Sequence, residues 1–421
     1  MPLFPPEENS PRGRAKLGDL FHKSEPNILL TADQQHETDT GSHHRHSNVS
    51  PTISPNSSPV NYFMSPVHNT SPFSKSPWNF SLAGDGPVPK TGLIGSLTRE
   101  EGHVYSLASS GDLLYTFSGF KSSSGLVKAI VVSGEKIFTG HQDGKIRVWK
   151  YSGPKKAYKR VGSLPTTREF IASSMNPGNY VEVRRHRKVP WIKHYDVVSC
   201  MSLDEEHGLL YSGSWDKTFK VWRLSDSKCM ESVNAHDDAV NSVMAGFDGF
   251  IFTGSADGSM KVWRRELVGK ETKHMMVYML LNQDPAVTSV AVNATDAVVY
   301  AGSSDGLVNF WKGESTRWVT AGLLEGINKR CFVLRRRGGC CLVARRIRVF
   351  ACGGGRPAVF IRCLSVLTGH DGPIKCLAVH EKQDGDDDDD GGGGGGDKEW
   401  VVYSGSLDKS VKLWVVGEAV K

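Results

Sequence analysis

The stretch Thr253-Gly-Ser-Ala-Asp257-Gly-Ser-Met-Lys-Val-Trp263 decides the fold of this chain. Its glycine stands three residues before the aspartate, and its tryptophan six after it. The same punctuation returns in Thr139-Gly-His-Gln-Asp143 through Trp149 and in Ser212-Gly-Ser-Trp-Asp216 through Trp222. It returns again in Ala301-Gly-Ser-Ser-Asp305 through Trp311 and in Ser404-Gly-Ser-Leu-Asp408 through Trp414. Chance does not hold both spacings five times. Repetition at such a period marks a fold whose units each bury an apolar face against the next.

Working outward, each aspartate lies between short β-rich runs. Gly249-Phe-Ile-Phe-Thr253 precedes Asp257, and alternating runs such as Lys145-Ile-Arg-Val-Trp149 follow the turns. Asp-Gly between two such runs is a strong hairpin signal. A third run, such as Ala239-Val-Asn-Ser-Val-Met244, lies further upstream, and ahead of three of these stands a histidine: His194, His236 or His370.

This pattern resembles the WD40 family and covers nearly all of residues 92–417. The resemblance implies an all-β, seven-bladed propeller. It also implies a hydrogen-bonded network in each blade, made by a histidine, a hydroxyl, the turn aspartate and the tryptophan. The sets are His194, Ser212, Asp216 and Trp222; His236, Thr253, Asp257 and Trp263; and His370, Ser404, Asp408 and Trp414. Asp143 with Trp149, and Asp305 with Trp311, mark two further blades. A buried carboxylate needs such partners. Residues 92–98 are expected to supply the outer strand of the last blade and close the ring. Only 23 residues separate Val104 from Val127, against a repeat of about 40–45. The first blade is therefore expected to lack most of its outer half.

Histidines and aspartates at regular spacing also raise metal or acid–base chemistry. A propeller spreads such pairs round a ring, so they do not converge. GxSxG, P-loop, HExxH and dinucleotide motifs are missing, and no catalytic residue, metal or cofactor is expected. The 8 cysteines include no CxxC pair and no zinc-finger spacing, which reads as reduced, intracellular thiols. The first residues have neither a charged stretch nor an apolar run, and no window is apolar enough to span a membrane. A net charge of +6 is mild for 421 residues and does not call for nucleic acid.

Residues 1–91 are rich in Ser, Pro, Asn and His and lack apolar periodicity, so a disordered tail is expected. Its Ser-Pro steps at Ser10, Ser50, Ser54, Ser58, Ser65, Ser71 and Ser76 read either as phosphorylation sites or as ordinary low complexity. Residues 150–193 read as an inter-blade insertion carrying Arg184, Arg185 and Arg187 beside Trp191. That basic run reads as a nuclear-import patch, a contact for an acidic partner or a solvated loop edge. Residues 384–398 read as a solvated Asp/Gly loop. Positions just before the turn aspartates line a rim, where Gln142 and above all Trp215 are candidate partner contacts; neighbouring-loop packing is the other reading of Trp215.

Several strings resemble a narrower group, the plant JINGUBANG-like WD40 proteins. They are Ser118-Gly-Phe-Lys-Ser-Ser-Ser-Gly-Leu-Val-Lys-Ala-Ile, Thr139 through Trp149, Asn179-Tyr-Val-Glu-Val-Arg-Arg-His-Arg187 and Cys363-Leu-Ser-Val-Leu-Thr-Gly-His370. The resemblance implies a non-catalytic scaffold in pollen germination and tube growth, working through regulatory partners such as a transcription factor. A monomer in the cytoplasm or nucleus is expected. Two alternatives are a substrate receptor of a cullin-type ubiquitin ligase and an RNA- or phosphate-binding propeller. The first is weakened because Lys150, Arg223, Arg264, Lys312 and Val415 follow the tryptophans, where that class carries Asp.

Trp311 and Trp414 are 103 residues apart, while Trp222 and Trp263 are separated by 41. One tryptophan is missing, and 327–361 holds four cysteines, many arginines and no turn aspartate. Regrouping each codon from its third base lets Leu342 to Ile347 give Gly-Ser-Ser-Ala-Asp and Arg348 to Gly353 give Ser-Val-Cys-Val-Trp. That restores a blade, so 327–361 is expected to be translated out of frame and to fold poorly. Sequencing the transcript tests the reading.

Overall fold

The computed structural model describes residues 78–82, 91–99 and 102–417 apart from breaks, of which 325–332 and 382–398 are the longest. The seven Ser-Pro serines, Arg185 and the loop 384–398 lie outside the described residues.

The repeats form antiparallel meanders of four consecutive strands. Blade I is built from Val127–Ser133, Lys136–His141, Ile146–Ser152 and Ala157–Leu164. Blade II is Val198–Asp204, Leu209–Ser214, Thr218–Arg223 and Lys228–Asn234. Blade III is Val240–Ala245, Phe250–Ser255, Ser259–Val268 and Glu271–Asn282. Blade IV is Val287–Asn293, Val298–Ser303, Val308–Glu314 and Arg317–Leu324. Blade V is Val333–Arg337, Cys340–Ala344, Ile347–Gly354 and Val359–Leu367.

The seven blades expected from the repeats are thus corrected to five. Three further sheets are not four-stranded meanders, one of them the hairpin of Tyr180–Arg184 and Arg187–Pro190 in the insertion after blade I. Val104–Ser110 and Leu113–Ser118 make a two-stranded hairpin. A closing sheet joins the two ends of the described chain, in the order Trp78–Leu82, Thr91–Arg99, Ser410–Gly417, Glu399–Ser406, Ile374–Glu381. Thr91–Arg99 pairs with Ser410–Gly417, the closure expected of residues 92–98. The short spacing from Val104 to Val127 accordingly leaves no room for a four-stranded sheet.

Three further expectations are corrected. Trp78–Leu82 pairs with Thr91–Arg99, although it falls inside the stretch expected to lack structure. The alternating Trp-Asn-Phe-Ser-Leu supplies β-forming residues beside a waiting strand edge. Residues 157–164 are the outer strand of blade I, so the insertion between blades I and II begins only after Leu164. The stretch 327–361 contributes to a four-stranded sheet, with Cys341 opposite Phe350. Val-Leu, Cys-Cys-Leu-Val and Ile-Arg-Val-Phe have strand propensity, and a ladder is made by backbone groups whatever the side chains.

The core lies between sheets. Phe138, Ile146 and Val148 of blade I pack with Val198, Leu210 and Trp222 of blade II. Tyr211 and Phe219 of blade II meet Val240, Ile251 and Trp263 of blade III, and Phe252 and Val262 meet Val287, Val299 and Trp311 of blade IV. Each fully buried aliphatic or Phe side chain contributes about 1.5–3 kcal/mol. The glycine three residues before each turn aspartate explains how the sheets approach. A Cβ on Gly254 would lie 2.5 Å from Val287, one on Gly213 2.8 Å from Val240, one on Gly140 2.7 Å from Val198, and one on Gly405 2.6 Å from Val104. The recurring glycine is therefore a blade-to-blade contact. The turn itself makes a separate demand. Gly258 has φ +81°, while Lys217 and Lys409 hold the same turn position at φ 72° and 68°, a left-handed conformation that costs a non-glycine residue about 1 kcal/mol.

Candidate functional site

In blade II, His194 comes from the loop ahead of the inner strand, Ser212 from the second strand, Asp216 from the turn and Trp222 from the third strand. His194 Nδ1 lies 2.7 Å from Asp216 Oδ2, and its Nε2 lies 2.9 Å from Ser212 Oγ. Trp222 Nε1–H donates to the same Oγ at 2.8 Å. Asp216 also accepts from the N–H groups of Tyr195 and Thr218 and from Thr218 Oγ1 at 2.6 Å. Blade III repeats this with His236–Asp257 at 3.2 Å, His236–Thr253 at 2.7 Å and Trp263 to Thr253 at 2.9 Å. The closing sheet does so with His370–Asp408 at 2.7 Å, His370–Ser404 at 2.7 Å and Trp414 to Ser404 at 2.8 Å.

Burial by itself would raise the carboxylate pKa values. The His194 partner, Lys220 and Thr218 hold Asp216 well below the usual carboxylate range. Hydrogen bonds from Ser259 and Asp237 bring Asp257 to about 2. His370 and Ser410 keep Asp408 well below the range. Burial pushes His194 down and His236 down to about 4, so both imidazoles are neutral in the fold at pH 7 and donate Nδ1–H to an ionised aspartate.

Ser212, His194 and Asp216 have the connectivity of a nucleophilic triad. Ser212 is fully buried, and its Oγ already accepts the Trp222 N–H, so no acyl group reaches it. The constellation holds a loop to a turn. Among the described residues, no group of three metal-ligating side chains occurs. Burial pushes the Cys200 and Cys229 thiols up to about 12, which leaves neither as a ready thiolate.

The other two aspartates are placed differently. Asp143 takes a bidentate Arg147 guanidinium at 3.2 and 2.7 Å. In this blade Thr139 Oγ1 bonds His141 Nε2 and Trp149 Nε1 instead, both at 2.8 Å. Asp305 is exposed, accepts from Leu307 N–H at 3.0 Å and bonds Ser303 Oγ; Ala301 offers no hydroxyl to Trp311. Arg147, Lys220 and the hydroxyls of Thr218, Ser259 and Ser410 were missed as network members. The hydroxyls had a signal. Ser or Thr stands two residues after Asp216, Asp257 and Asp408, whereas Lys145 and Leu307 follow Asp143 and Asp305.

Of the rim candidates, Trp215 is 45% exposed and Gln142 is exposed. Gln142 Oε1 accepts from Leu126 N–H at 3.4 Å. Trp191 packs against the core between blades I and II, and its carbonyl accepts from Lys220 Nζ at 2.5 Å. Arg184 and Arg187 lie in paired strands, with side chains outside the described residues.

The model of the WD domain, G-beta repeat, matches residues 93–150, 188–223, 227–264, 277–312 and 361–415, more than half of the chain. The chain belongs to this WD-repeat family. WD-repeat propellers are in general protein-interaction scaffolds. The chain is 47% identical over 49 residues to a CCR4-associated factor 4 homolog from Vanderwaltozyma polyspora, covering 11% of this chain and 7% of that protein. It is 29% identical over 117 residues to zinc finger CCCH domain-containing protein 17 from Oryza sativa subsp. japonica, covering 28% and 20%. The chain therefore spans only a small part of these relatives. The crystal structure of the WD40 propeller domain of Doa1 superposes with a TM-score of 0.51 at 16% identity, covering 79% of this chain and 98% of that one. That likeness concerns the fold alone.

Proposed function

We propose that this WD-repeat chain is a non-catalytic scaffold that brings regulatory proteins together through the rim around Trp215. The observation that carries the reading is the division of labour within blade II. Asp216, His194, Ser212 and Trp222 are buried and committed to one another, while Trp215, one residue before Asp216, stands 45% exposed. A large aromatic left open on a rigid turn is the residue type that anchors partners. Asp237 and Asp238 are exposed on the next loop, which begins where the Ala235 and His236 N–H groups bond the Lys217 carbonyl. Exposed carboxylates on that loop suit a partner segment with basic side chains.

The resemblance to JINGUBANG-like proteins supports a finer reading: a monomeric plant protein of the cytoplasm or nucleus, serving pollen germination and tube growth through a partner such as a transcription factor. The test is affinity capture from germinating pollen with wild type and Trp215→Ala. The variant is expected to melt like wild type, within about 0.5 kcal/mol, and to lose its specific partners. Undiminished capture by a folded Trp215→Ala protein would refute the rim reading.

A further inference from the structure

A surface helix ordinarily turns its apolar residues inward and its polar ones out. The helix Thr167–Ser174, in the insertion between blades I and II, does the reverse. Glu169 and Ser173, one turn apart, face the blade. Ser173 is buried, and Glu169 Oε1 accepts from the Cys229 N–H of the outer strand of blade II at 3.2 Å. Phe170 and Ile171 are exposed, as is Met175 just past the helix end; Ile171 is 50% and Met175 78% exposed. Residues four apart share a helix face, so Ile171 and Met175 form one stripe on the side away from Glu169 and Ser173.

This inverted helix is tied down at both ends. The insertion leaves the core at Leu164 and re-enters it at Ile192, both buried between blades I and II. Thr166 caps the helix by accepting from the Glu169 N–H at 3.3 Å. At the other end Asn179 Nδ2 donates to the Ser173 carbonyl at 3.2 Å, and the Tyr180 hydroxyl donates to the Ser174 carbonyl at 3.1 Å. Tyr180 is itself exposed, so its ring extends the apolar face beyond the last turn. Such a face costs little further ordering when something covers it. The charge around it is one-sided. From Thr166 to Pro190 the chain has five Arg or Lys residues and two Glu. Glu169 is committed to Cys229, and Glu182 lies opposite Lys188 in the hairpin of Tyr180–Arg184 and Arg187–Pro190. Arg168 is exposed, seven residues before Met175 and so on the same side of the helix. The two strands of the hairpin meet the turn between them at Arg184 and Arg187.

We propose that the outward face of this helix, Phe170, Ile171 and Met175 with Tyr180, docks an acidic amphipathic helix of a partner protein. Apolar side chains one turn apart on the partner fit the grooves between these residues. The partner's carboxylates meet the positive charge that Arg168 and the hairpin carry. A stripe of two turns matches one partner helix, read through anchors three and four residues apart. This surface differs in chemistry from the rim around Trp215, whose neighbouring loop suits basic side chains. A chain with both surfaces holds two partners of opposite charge.

The test is fluorescence anisotropy of a labelled helical peptide of Leu, Phe and Glu, titrated with the full chain at low salt. Saturable binding is expected, weakening as salt is added, and a peptide with Lys in place of every Glu should not bind. Ile171→Glu and Met175→Glu should each weaken binding about tenfold or more, and Arg168→Glu should weaken it as well. Leu267→Glu, on the exposed hairpin of blade III, should leave binding unchanged. All four side chains are exposed, so melting curves should show every variant folded like wild type. No binding of the acidic peptide, equal binding of the Lys peptide, or equal weakening by Leu267→Glu would each overturn the proposal. Binding to phosphatidylserine vesicles that is lost in Ile171→Glu, with none to the peptide, would assign the face to a lipid surface instead.

Discussion

In blade II a histidine from one loop reaches across to the turn of the next hairpin. In blade I the corresponding loop, residues 119–126, holds no histidine, and the turn aspartate is held by Arg147, four residues along its own hairpin. Both blades keep the same glycine, aspartate and tryptophan spacing. The difference lies in what is tied. His194 and Asp216 are both essentially buried and join a loop to a hairpin. Arg147 is buried and Asp143 is 30% exposed, so their pair braces one hairpin only. His141 fills the place beside Thr139, and burial together with Arg147 pushes it down to about 3. One pattern in the sequence thus serves two mechanical roles, a clasp between segments and a local brace.

The clasp should be the costlier to break. Asp216→Ala leaves the His194 Nδ1–H, the Tyr195 and Thr218 N–H groups and the Thr218 hydroxyl without their acceptor. A loss of about 3–5 kcal/mol in denaturant unfolding is expected. Acid should work on blades I and III in the same direction. Buried His141 and His236 have pKa values of about 3 and 4 in the fold, against about 6.5 when unfolded. The unfolded chain therefore binds more protons below pH 6.5. Stability is full above that pH and falls as pH drops toward 4, by up to about 1.4 kcal/mol per unit for each such histidine. Asp257, at about 2 in the fold, adds a second loss below about pH 3.8. Melting temperatures from pH 7 to pH 4 check the sign; a melting temperature that rises on acidification contradicts it.

Smaller effects sharpen the contrast. Gly254→Ala drives a methyl group into Val287, across the seam between blades III and IV. About 1–3 kcal/mol of destabilisation should follow, rescued in part by Val287→Ala. Arg147→Ala should cost about 1 kcal/mol, because water reaches Asp143 once its guanidinium is gone. Thermal unfolding of the two single variants ranks them.

Much of this architecture can be read from the five repeats, because aspartate, glycine and tryptophan hold fixed spacings and each demands a fixed environment. The networks of His194, His236 and His370 are legible for the same reason. Arg147 is not, since an arginine four residues after an aspartate is equally at home on a solvated strand. The blade count was too high because the half blade at Val104 to Thr116 and the closing sheet were each counted as a blade, although the short spacing from Val104 to Val127 does show that the outer strands of the first are missing. The sheet at 333–367 went unforeseen for the opposite reason: it carries no turn aspartate, yet backbone pairing does not require one. Trp78–Leu82 was hidden by the serine- and proline-rich chain before it.

The central claim is that the His194–Asp216 pair is a mechanical clasp between loop and turn. A double-mutant cycle with His194→Ala, Asp216→Ala and both together, followed by urea unfolding, measures the coupling directly. The account predicts a coupling above about 1 kcal/mol, exceeding that of an Arg147/Asp143 cycle. Additivity within about 0.5 kcal/mol, or a larger coupling in blade I, would contradict it.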